Sequence, residues 1–232
     1  RPRGDRDSGK AAALPGQTSP PKDAGTPRSL RDLFGLEALQ LFRNRDHRAV
    51  FITAALFNAP LAAFYPYTPI HLQAVGVQHA TAVMSLGQIG EVICMLGLAA
   101  MLVRVRLKTV FLAGIVFAIV RYALFALNDR NALLIGVLLH GFAFTLYFIT
   151  AQIYLEQRID PRLRARAQAL LTLMISGFGN LIGYLGSGWW REACRTQGAN
   201  EWPLFWGGLC ISTIAVFVFF FASYRGQAVR SK

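Results

Sequence analysis

Acidic residues are scarce in this sequence, and its long apolar stretches contain only one. Of 232 residues 12 are Asp or Glu, and charged residues of both signs reach 16%. A soluble domain carries roughly 25%, so the chain lacks the charged surface that a water-solvated fold needs. Cysteine is sparse as well. Cys94, Cys194 and Cys210 have no metal-ligand spacing, and two of them, Cys94 and Cys210, sit inside apolar runs. Neither a disulfide framework nor a metal site is expected. Catalytic motifs are missing too: no HExxH, no GxSxG and no glycine loop that would cradle a phosphate. A single intramembrane acid, without a second acid or a nucleophile beside it, argues against an enzyme. No cofactor is called for.

What the sequence has is apolar length. Hydrophobic residues make up 54% of the chain, gathered into six runs near the roughly 20 residues needed to cross a bilayer. The predicted spans are Ala49–Leu72, Ala80–Val103, Leu107–Leu127, Ala132–Leu155, Ala167–Trp190 and Trp202–Tyr224. The expected fold class is therefore an all-α membrane protein of six transmembrane helices over residues 48–224. Residues 1–47 form a polar segment rich in Pro, Gly and charge. It is expected to be disordered to Arg28, because it buries too little apolar area to offset the entropy of ordering. A short interfacial helix is expected over Ser29–Phe42, with Leu30, Leu33, Phe34 and Leu41 on one face and Glu37 interrupting it. Residues 225–232 form a polar tail. The chain begins with Arg1 rather than Met, so it is expected to be a piece of a longer protein.

The net charge of +12 does not indicate a nucleic-acid partner, because the basic residues lie between apolar runs rather than along one soluble face. With the N-terminus inside, the segments 1–48, 104–108, 156–166 and 225–232 hold 20 of the 24 Lys and Arg residues. The outer loops hold Arg130, Arg191 and Arg195. That asymmetry predicts cytoplasmic termini in a cell (inner) membrane. Trp189, Trp190, Trp202 and Tyr224 fall at span ends and are expected to anchor at the membrane interface.

Polar residues inside a span are costly, which makes them site candidates. Glu91 is the only acid within the six spans. Gln88 precedes it by three residues, and Ser85 and Cys94 are expected to extend the same face. A carboxylate dehydrated in a closed cavity takes up a proton, because burial disfavours the charged form, so Glu91 is the proton-coupling candidate. Apart from Lys108 at a span end, Arg121 is the only Lys or Arg within a span, and it either pairs with Glu91 or reaches outward beside Tyr122. Pro60, Pro66 and Pro69 interrupt the first span near Asn58, Phe64, Tyr65 and Tyr67; broken helices often line transporter sites. In the fourth span His140, Phe144, Thr145 and Tyr147 give a partly polar face, with Phe144 suited to stack on a flat ring. Gly179 and Gly183 form a small-xxx-small pair for close helix packing, from which Asn180 and Tyr184 reach toward a cavity. Gln88, Glu91 and Phe144 are expected to line one cavity.

Four stretches carry a resemblance: GVQHATAVMSLGQIGEVICML at 76–96, VRYALFAL at 120–127, HGFAFTLYFITAQIY at 140–154 and RARAQALLTLMISGFGNLIGYLGSG at 164–188. Together they resemble the second half of the nucleoside:proton symporter family of the major facilitator superfamily. The resemblance implies half of a twelve-helix fold, with two inverted three-helix repeats and a separate N-terminal six-helix half as partner. It implies a secondary transporter that moves a nucleoside or similar small polar solute with protons. Gln88 and Glu91 would bind the solute and Phe144 would contact its ring. His140 stands where the family can carry a tyrosine, and Asn58 matches a polar binding residue once a gap is introduced. Thr145 departs from the family, which has an acid there, and leaves proton coupling open. The alternative reading is a non-transporting six-helix sensor or assembly partner.

Overall fold

The computed structural model describes residues 36–197 and 201–226. Among the described residues six helices are long and apolar enough to cross a membrane: Arg45–Ala74, Ala80–Arg104, Leu107–Ala126, Arg130–Arg158, Arg164–Arg195 and Glu201–Ser223. They are the six expected spans, several of them extended by a turn or more. Apolar composition marks the part of a helix in hydrocarbon, and the charged turns at Arg45, Arg158 and Arg195 continue it beyond. The expected disorder before Arg28 and most of the expected tail lie outside the described residues. So does the first half of the expected interfacial helix. Its second half is a short 3-10 helix, Leu36–Arg43, in which Leu41 is buried and Leu39 exposed.

The first span breaks where its prolines dictate. It runs to Ala62 and resumes at Phe64. Pro66 has no N–H to give the Ala62 carbonyl, so the helical ladder opens there. Beside the break the Pro60 carbonyl takes two donors, as backbone at membrane depth requires partners. The Tyr122 hydroxyl donates to the Pro60 carbonyl at 2.6 Å, and Ala63 N–H donates to it at 3.3 Å. At the start of this span the Asn44 side chain caps the helix by accepting from the N–H groups of Asp46 and His47.

Glycine sets how closely the spans approach, because lipid supplies no hydrophobic drive between helices and packing must. A Cβ at Gly183 would collide with the Ala59 carbonyl and lie 2.7 Å from Ala62 Cβ; one at Gly179 would lie 2.9 Å from Asn58 Cβ. The pair thus seats the fifth span on the first. A second seam was not foreseen. Gly141 of the fourth span lies against the backbone of Gly87, Gly90 and Glu91 of the second.

These seams are related by symmetry. The first span packs on the fifth and the fourth on the second; the third packs on the fourth and the sixth on the first; the third and sixth pack on each other. Exchanging spans one to three with four to six maps that set of neighbours onto itself, as an inverted repeat requires.

Both ends of the bundle are tied by polar contacts. On one side Arg45 donates to the carbonyls of Ser223 and Ala222, and Lys108 to that of Phe221. These cations satisfy the unpaired carbonyls that close the sixth span. At the other end His71 accepts from Trp206 Nε1 at 2.8 Å and meets Asn128 Oδ1 at 2.7 Å, stacked on Trp202. Arg191 pairs with Glu201 and lies over the Trp202 ring. Trp202 and Tyr224 are therefore buried in the bundle rather than anchored at its surface, while Trp189 is 77% exposed.

Candidate functional site

The broken first span, the fourth and the fifth enclose an open cavity of about 300 Å³, within the size range of small-ligand sites. Asn58, Tyr65, His140, Phe144, Gln152, Ser176, Asn180 and Tyr184 are among its lining residues. Three of the five residues expected to bind solute, Asn58, His140 and Phe144, thus converge here from two spans. Both flanking helices change register beside it, into π-helical segments at Thr145–Ile149 and Leu173–Gly179. Such insertions are frequent at functional sites. The second is where the fifth span frees a carbonyl toward Asn58.

Asn58 shows how the wall is built. Its amide donates to the Ile175 carbonyl at 3.0 Å and to Asn180 Oδ1 at 2.7 Å. Both N–H donors are then spent, which leaves Asn58 Oδ1 as an acceptor and Asn180 Nδ2 as a donor. The aromatic part of the wall is continuous, since Phe144 packs at 5.2 Å from Phe148 and 6.4 Å from His140.

Gln88 and Glu91 are not in this lining. Gln88 is exposed on the second span and Glu91 half-buried. The face that the second span turns inward is Gly87, Gly90, Cys94 and Leu98. The expected stripe Ser85–Gln88–Glu91–Cys94 does not hold together, because steps of three fall short of the 3.6-residue turn and rotate around the helix. Cys94 ends up buried while Ser85 and Gln88 face out. Glu91 still lies near the cavity, since its backbone abuts Gly141, the residue after His140 in the lining.

Arg121 takes neither of its two expected courses. It is fully buried, with its guanidinium 4.4 Å from the centre of the Tyr122 ring and 5.1 Å from that of Phe64. Its Nη1 donates to His140 Nδ1. Among the described residues its Nε and Nη2 have no hydrogen-bond partner. Thr145, where the resemblance implied an acid, is fully buried and outside the cavity lining. Sequence reasoning missed Phe148, Gln152, Thr172 and Ser176 in the lining. They continue the four-residue rows His140–Phe144–Phe148–Gln152 and Thr172–Ser176–Asn180–Tyr184; such a row drifts around a 3.6-residue helix, and the wider π-helical turns along both spans keep it on one face.

A sequence model of the nucleoside H+ symporter family matches residues 9–228. Among known relatives, YegT of Escherichia coli (strain K12), provisionally named a nucleoside transporter, is 35% identical over 218 residues, which are 88% of this chain and 51% of that protein. The nucleoside permease NupG of the same organism is 29% identical over 88% of this chain and 52% of its own length. A xanthosine permease, also from Escherichia coli (strain K12), is 28% identical over 83% and 50%. Two crystal structures of the nucleoside transporter NupG, one of them a mutant, superpose with TM-scores of 0.77 and 0.72 at 28% identity. They are matched over 88% and 87% of this chain and 54% and 53% of theirs. The chain therefore spans about half the length of the relatives it matches. With its six apolar helices, this is a multi-pass membrane protein, and it belongs to the nucleoside H+ symporter family.

Proposed function

We propose that this bundle is the C-terminal half of a secondary transporter that moves a nucleoside, or a similar small polar solute, with protons. The observation that carries this reading is the mixed polar and aromatic cavity of the first, fourth and fifth spans, in a chain whose relatives are named as nucleoside and xanthosine permeases. Asn58 Oδ1 and Asn180 Nδ2 offer one acceptor and one donor to hydroxyls or a base edge. Phe144 offers a flat surface for the ring. Gln88 and Glu91 belong to the rim, where a facing six-helix half would enclose them and Glu91 would carry the proton. Burial supports that arrangement: 72% of the first span's apolar window is buried inside the bundle, against 22% for the second and fifth. Those two exposed helices flank the cavity and are the natural contact with an N-terminal half, around a shared midplane site. Both termini are assigned to the cytoplasm, in the cell's inner membrane, by the excess of Lys and Arg.

Site protection tests the reading. A cysteine at exposed Ser176, introduced into the transporter assembled from both halves, should react with a maleimide, and uridine, adenosine or xanthosine should slow that reaction. If no nucleoside slows it, the nucleoside assignment is wrong.

A further inference from the structure

We infer that Arg121 is a positioning residue that locks His140 as a hydrogen-bond donor into the cavity, so that this imidazole selects solutes by an acceptor atom on their base. The inference rests on the proposed nucleoside site.

The chemistry follows from one bond. A guanidinium has donors and no acceptor, so the Arg121 Nη1 contact to His140 Nδ1 requires the imidazole lone pair on Nδ1. The bond made by one ring nitrogen fixes the proton on the other. The ring N–H is therefore on Nε2. That atom faces the Tyr65 hydroxyl at 3.5 Å, on the cavity side, since both residues line it. A contact so long leaves the donor available.

Stacking fixes the plane of the ring, and a flip within that plane would turn Cδ2–H toward the Arg121 donor. Phe64 stacks on it at 3.9 Å with an interplanar angle of 6°, and its Cδ2 edge faces Gly87. The arrangement is also costly. A buried guanidinium whose Nε and Nη2, three N–H groups in all, have no hydrogen-bond partner and no carboxylate among the described residues destabilises a bundle that leucine would fill more cheaply. A packing role gives no reason to keep it, whereas fixing one donor in a binding cavity does. The same cavity carries Asn58 Oδ1 and Asn180 Nδ2, so the site reads an acceptor through His140 and a donor–acceptor pair through the two asparagines. A base with a ring nitrogen or carbonyl at the His140 end fits, and one with only C–H there does not.

Two measurements test this. The first is 15N NMR of the histidine-labelled chain in detergent or nanodiscs, with the His140 signal assigned by its loss in His140→Gln. A single tautomer protonated on Nε2 is expected, and Arg121→Met should admit the Nδ1–H form. A native ring protonated on Nδ1 overturns the lock. The second uses the Ser176 cysteine in the assembled transporter, with adenosine and its deaza analogues, each missing one ring nitrogen, and uridine with analogues missing one base carbonyl. One deletion should weaken protection about tenfold, the size of one lost hydrogen bond. That difference should vanish in His140→Phe and shrink in Arg121→Met. Discrimination that survives in His140→Phe overturns the assignment of His140. If no nucleoside protects at all, the transport reading fails, while the tautomer is still decided by NMR.

Discussion

At the scale of single residues, the account separates charge from surface. Replacing Glu91 by Gln removes a carboxylate from the cavity rim and leaves the shape. In the assembled transporter it should weaken solute binding by roughly one to two decades, the size of a charge-assisted hydrogen bond of about 1.5–3 kcal/mol, or remove the pH dependence of uptake. Phe144→Ala removes the ring surface and should lower affinity without altering that pH dependence. If Glu91→Gln leaves uptake and its pH profile unchanged, Glu91 only packs and proton coupling lies elsewhere. Much of this site was legible in the sequence. Asn58, His140 and Phe144 stand out because a polar or paired aromatic side chain in hydrocarbon has few reasons to exist. The Arg121–His140 contact was not legible. It joins residues 19 apart in sequence on consecutive spans, and nothing in either span states which face meets which. For the same reason the more obvious pairing of Arg121 with Glu91, by opposite charge, was the wrong guide.

At the scale of elements, glycine seams hold the bundle together. Gly141→Ala places a methyl group against the backbone of Gly87 and Glu91, and Gly183→Ala against Ala59 and Ala62. Since the obstruction is backbone, neither neighbour can rotate aside. Each should cost about 1–3 kcal/mol, typical of overpacking, read as a lower melting temperature in detergent. Gly97 and Gly186 have open space where a Cβ would go, and Ala there should leave the melting temperature unchanged or raise it. Equal effects at all four positions would refute the seams. The Gly179–Gly183 seam was visible as a small-xxx-small spacing. The Gly87–Gly90–Gly141 seam was not, because its glycines are divided between two helices. Span positions were legible because hydrocarbon thickness fixes apolar length. The break after Ala62 was legible because proline removes a donor. The π-helical segments were invisible, since no residue type demands them and the surrounding packing selects them.

For the whole molecule, the inverted arrangement and the charge asymmetry make linked predictions. The ends bearing Arg104, Lys108, Arg158 and Arg164 should face the cytoplasm, and the turn near Gln197 should face out. In a background without native cysteines, Gln197→Cys should react with an impermeant maleimide in intact cells. Reaction only after the membrane is breached would reverse the topology.

Half of an alternating-access machine has a cavity wall but nothing to close against. Nucleoside uptake into liposomes tests this most directly, with the bundle alone compared against the bundle assembled with a six-helix N-terminal half. The account predicts uptake by the assembled pair, driven by an inward proton gradient, and none by the bundle alone. Uptake by the bundle alone, or a folded pair that carries no nucleoside, would contradict it.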